Sequence, residues 1–204
     1  MSESFTQMFQ SVGPAGPDER KTWTSPAWFG PPENELPACV PLGVVVARAE
    51  NAVIALSHAS VYSTGLGIEL MVQARGLPER DAQRLFHEQH MPPTETDPAP
   101  AFLRIGVELA DGSRASNLSG RHHWHDPEQR PEGPVLMQHG GGGGSSGQGG
   151  IVLRPAFWLW PLPPAGALRL ACEWPLLGIP LTTVELDGAA LRAAAGRVVE
   201  LLGS

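Results

Sequence analysis

The chain has 204 residues, enough for one domain that buries about 70% of the surface its unfolded form exposes. Its formal charge is −7, and of 14 basic residues only Lys21 is a lysine. No basic tract exists to neutralise consecutive phosphates or hold an anionic membrane surface, so nucleic acid and membrane are poor partners.

The 24 glycines and 21 prolines, against a usual combined share of roughly 12%, assign much of the chain to turns and irregular coil. The opening MSESFTQMFQ has neither a basic n-region nor an apolar core, and no run of ~18 apolar residues occurs anywhere. The expectation is a soluble cytoplasmic protein. Cys39 and Cys172 are too few for a disulfide scaffold and lie in apolar, strand-like surroundings, which predicts two buried free thiols.

Residues 1–37 carry prolines at 14, 17, 26, 31, 32 and 37 with no periodicity longer than a turn. They read as a proline-rich, partly disordered arm. Its second half, WTSPAWFGPPENELP, holds Trp23, Trp28 and Phe29, which predicts packing onto a domain surface. The alternative is an aromatic ligand platform.

From residue 38 the period changes to two. Strands are expected over 40–48, 52–61, 66–75, 103–109, 134–139, 151–160, 167–174 and 180–186. In LGIELMVQAR, for example, Leu66, Ile68, Leu70, Val72 and Ala74 alternate with Gly67, Glu69, Met71, Gln73 and Arg75. Asp111-Gly112 after FLRIGVELA predicts a hairpin with a type I′ turn. PERDAQRLFHEQH (78–90) reads as a short internal helix that starts at Pro78 and stops before Pro92. Asp187 caps a second, C-terminal helix whose apolar stripe is Leu191, Ala194, Ala195, Val198 and Leu202. The fold class is therefore mainly β: an antiparallel β-sandwich-like domain of about eight strands over 38–204, with one short internal helix and a C-terminal helix.

HGGGGGSSGQGG (139–150) formally satisfies G-x-G-x-x-G through Gly142, Gly144 and Gly147. A phosphate cradle needs a helix N-terminus after the glycines, but the next residues are the strand-like IVLRPAFWLW. No P-loop Lys-Ser/Thr comes after Gly150 either, so nucleotide is excluded as the ligand. The run reads as a long loop inside one β domain.

His122, His123, His125 and Asp126 in RHHWHD, with His87 and His90 in HEQH, are the residues from which a zinc or iron site would be drawn. HEQH is one residue short of the H-E-x-x-H spacing, and ordinary polar loop histidines are the favoured reading of these residues. No G-x-S-x-G elbow is present, and Glu173 beside Cys172 has the wrong charge to lower a thiol pKa. No catalytic residue and no cofactor is assigned.

In FWLWPLPPAG, Phe157 and Leu159 face one way and Trp158 and Trp160 the other. If Trp158 and Trp160 are exposed beside Trp174 or Trp28, they form a partner or sugar surface. If the arm covers them, they are structural.

VELADGSRASNL, the glycine run, FWLWPLPPAG and CEWPLLGIPLTTVELDGAALRAAAGRVVEL together resemble a set of uncharacterised proteins from high-GC actinobacteria. The resemblance covers roughly residues 100–204, with weaker agreement in FGPPENELPACVPL. It carries no catalytic residue or substrate across, and implies that the glycine run, tryptophan strand and final helix form one unit. The resulting expectation is a non-enzymatic binding or assembly module that holds a protein partner or itself. The alternatives are a metal-dependent enzyme built on the histidines and a carbohydrate-binding sandwich built on the tryptophans.

Overall fold

The computed structural model describes residues 25–90, 102–119, 130–146 and 150–202. Two antiparallel sheets face each other. The larger comprises β2 (Ala38–Arg48), β3 (Ala52–Val61), β4 (Leu66–Ala74), β8 (Gly150–Trp160) and β7 (Val135–Ser146), in the order β2-β3-β4-β8-β7. The smaller comprises β10 (Ile179–Asp187), β9 (Ala167–Trp174), β5 (Arg104–Glu108) and β6 (Arg114–Ser116), in the order β10-β9-β5-β6. A third ladder, β1 (Glu35–Leu36) with β11 (Val199–Glu200), ties the arm to the end of the described chain.

The period-two pattern is realised as a buried inner face. Ile54, Leu56, Leu70, Leu153 and Phe157 from the larger sheet meet Ile105, Val107, Leu170, Cys172 and Trp174 from the smaller in one core. Each large aliphatic side chain buried there contributes about 1.5–3 kcal/mol. Leu85 from the first helix, α1 (Glu79–His90), joins this core. Leu191 and Ala194 of the second, α2 (Gly188–Ala194), close one end of it. Asp187 caps α2 as expected, its carboxylate accepting from the Ala190 amide at 3.0 Å. Among the described residues, no helix is long and apolar enough to cross a membrane.

Among the described residues, Asn117 is a buried polar residue beside this core. Its Oδ1 accepts from the Ile105 amide at 3.0 Å and its Nδ2 donates to the Leu103 carbonyl at 2.8 Å. One side chain thus satisfies two backbone groups where the chain enters β5.

Three local expectations need correction. The hairpin between β5 and β6 has a three-residue loop, Ala110–Gly112, rather than a two-residue type I′ turn. The Gly112 amide donates to the Leu109 carbonyl and the Leu109 amide to the Ser113 carbonyl. Gly112 takes the left-handed position at φ +83°, as three-residue loops with a glycine bulge require.

The C-terminal helix is shorter than its apolar spacing implied. After Ala194 the chain passes through a 3-10 turn (Ala195–Arg197), and Val199 and Glu200 pair with Leu36 and Glu35. Gly196 weakens the helix and β-branched valines favour the ladder that the arm offers.

The glycine run is strand over most of its described length, not loop. Gly141 to Ser146 pair in register with Pro155 to Gly150, after a bulge between Gln138 and Gly141. At that bulge Gly141 has φ +119°, and a Cβ on it would lie 2.7 Å from the Arg154 carbonyl oxygen. Glycine is what lets β7 turn there and keep its pairing with β8.

Candidate functional site

The residues singled out from sequence fall in three places. His122, His123, His125 and Asp126 lie outside the described residues, as does Trp23; His87 and His90 lie on α1, with their side chains outside the description. Among the described residues no three His, Cys, Asp or Glu side chains group to hold a metal ion.

The tryptophans, offered as a surface, are packed. Trp174 is 0% exposed in the main core, and Trp158 and Trp160 are 1% and 8% exposed on the opposite face of the larger sheet. There, with Val135 and Met137, they form a second core covered by Ala27, Trp28, Phe29 and Tyr62. Trp28 meets Trp160 edge-on at 5.8 Å between ring centroids, and Tyr62 meets Trp158 at 5.5 Å. The Arg130 guanidinium lies 5.3 Å from the centre of the Trp160 ring. The arm is therefore a cover, and rings held beneath it offer no face for stacking on a sugar.

The thiol expectation is half right. Cys172 is buried, and burial pushes its pKa up to about 11, whereas Cys39 is exposed on β2. Cys39 stands opposite Ser60, on the face of the larger sheet that turns away from the core.

The feature that sequence reading missed is the outer face of the smaller sheet. Outward positions read Arg104, Gly106, Glu108 along β5 and Arg169, Ala171, Glu173 along β9: the same basic, small, acidic order. Antiparallel pairing sets Arg104 opposite Glu173, Gly106 opposite Ala171 and Glu108 opposite Arg169. The flanking strands extend these rows. Ser116 and Thr183 prolong the small row, and Arg114 and Glu185 the charged one.

The rows make a trough. Its floor is Ser116, Gly106, Ala171 and Thr183, spanning roughly 14 Å at the ~4.8 Å spacing of four strands. One wall is a chain of ion pairs. Arg114 Nε donates to Glu108 Oε2 at 2.7 Å, Arg169 Nη1 to Glu108 Oε1 at 2.9 Å, and Arg169 Nε lies 3.5 Å from Glu185 Oε2. Further along the same two strands, outside the lining of the concavity, Arg104 Nη1 lies 2.7 Å from Glu173 Oε2. The Arg114 hydrogen bond, and after it Arg169, hold the Glu108 carboxyl below its usual pKa.

The concavity measures about 840 Å³. On its rim a register shift in β10 between Ile179 and Thr182 turns Pro180 and Leu181 outward together, and Leu181 is 70% exposed. The alternation of arginine, small residue and glutamate is present in the sequence as a signal. It gains meaning only once β5 and β9, some 60 residues apart, are known to be neighbours.

Comparison of the chain with protein-family models, curated proteins and solved structures yields no match.

Proposed function

We propose that this protein is a non-enzymatic binding module that seats a protein partner in the trough of the smaller sheet. The observation that carries the reading is the floor of small side chains beside exposed Leu181, bordered by Glu108 already paired with Arg114 and Arg169. An apolar centre inside a polar rim is the anatomy of protein interfaces. A border whose arginines and glutamates are paired gives no strong point charge to hold a small ion, so shape and apolar contact select the occupant. Glu108, with its pKa lowered by two arginines, is ionised at neutral pH and is a poor proton donor for catalysis.

A photo-crosslinking amino acid at position 183 tests this in extract of the source cells. A discrete crosslinked protein that disappears when Ala171→Arg fills the trough supports the reading. If position 183 captures nothing beyond what a crosslinker at exposed Val45, on the other sheet, captures, the trough is not a docking site.

A further inference from the structure

The two sheets have four strand edges, and three carry features that keep another strand from adding to them. β2 has Pro41 and two register shifts, one after Pro41 and one after Val45. β10 has Pro180, a register shift after Ile179, and Glu185 and Asp187 near its end. β6 is 3 residues long. β7 differs: it runs for 12 residues, and beyond its single bulge it has no proline, charge or register shift from Gly142 to Ser146. Among the described residues, Gly142 to Gly144 pair with β8 alone.

We propose that β7 is an assembly edge, pairing antiparallel with β7 of a second copy so that two five-stranded sheets become one of ten strands. Two observations favour a second copy over a foreign strand. A glycine edge offers main-chain hydrogen bonds but no side-chain pockets, so it has nothing with which to select a foreign sequence. Two-fold symmetry selects instead, by presenting the same edge twice. Charge points the same way. In a chain of net charge −7, β7 contains no Asp, Glu, Lys or Arg, so two copies meet there without like charges in opposition. Main-chain pairing over so narrow a seam makes a weak, reversible dimer whose population rises with concentration.

Sedimentation equilibrium of the full chain between about 10 µM and 1 mM reads this directly. The mass climbs from 21.7 kDa toward twice that value, and amide exchange at 142–144 slows as concentration rises. A Cβ at Gly142 meets nothing within 4 Å, so side chains are accepted there. Gly142→Lys sets like charges along the seam and raises the midpoint by at least about tenfold. Gly142→Thr adds bulk without charge and leaves the dimer in place. A chain that stays monomeric to 1 mM overturns the proposal. So does a dimer that Leu181→Asp breaks and Gly142→Lys does not, since that result assigns self-association to the trough. Loss of the edge dimer leaves the trough reading standing.

Discussion

The indole nitrogen of Trp158 donates a 2.9 Å hydrogen bond to the carbonyl oxygen of Ala27, across 131 positions of sequence. The arm is thus fastened to the larger sheet by a specific polar contact inside an apolar cluster. Trp158→Phe keeps most of the ring and removes the donor, leaving the Ala27 carbonyl without this partner. It should cost roughly 1–2 kcal/mol in urea unfolding. Trp158→Ala also loses the packing against Tyr62 and the arm and should cost about 3–5 kcal/mol. Equal losses for the two variants would mean that the hydrogen bond, and not the ring, dominates.

Asn117 bridges two backbone groups of the chain entering β5. Asn117→Ala strands both the Ile105 amide and the Leu103 carbonyl, and should lower stability by roughly 2–4 kcal/mol. Asn117→Asp keeps the acceptor but sets a carboxylate against the Leu103 carbonyl. Its defect should therefore be larger at neutral than at acidic pH. Unfolding curves at two pH values separate these outcomes.

His139 lies where the arm crosses the larger sheet, its Cε1 2.9 Å from the point a Cβ on Gly30 would occupy. Partial desolvation beneath the arm disfavours the charged ring and lowers its pKa from the usual value. The unfolded chain then takes up the proton first as pH falls. Stability is at its full value above the unfolded pKa of about 6.5 and declines as pH drops below it toward the folded pKa. His139→Gln should flatten this part of the stability–pH curve. An unchanged slope would assign the dependence to other groups.

The two thiols should react in distinct phases. Exposed Cys39 should be modified by a disulfide reagent in the native protein. Cys172, with its pKa pushed up to about 11 and its sulfur in the core, should react only after unfolding. Thiol titration with and without denaturant checks this. Cys39→Ser should abolish the native phase and leave the second.

The larger sheet is legible in the sequence where side chains alternate. Leu66 to Ala74 reads as a half-buried strand from sequence and is one. The glycine run escapes such a reading because glycines show no alternation, so its strand character comes from β8 alongside it. Val198 and Leu202 sit at helical spacing, yet the chain there leaves the helix for a ladder with residues more than 160 positions earlier. No local pattern contains that partner. The trough is a harder case, because the alternation of Arg104, Gly106 and Glu108 looks like an ordinary solvated strand face until Glu173, Ala171 and Arg169 are set against it.

The short ladder of β1 with β11 has a mechanical consequence. Asn34 holds Leu202 at both ends of its amide, with Nδ2 donating to the Leu202 carbonyl at 2.7 Å and Oδ1 accepting from the Leu202 amide at 2.7 Å. The strands are antiparallel, so residues 34 and 202 stand at the same end of the ladder. A pull applied across those two positions opens its bonds one after another instead of loading them together. Under tension this seam peels at low force while the nine strands of the two sheets stay closed.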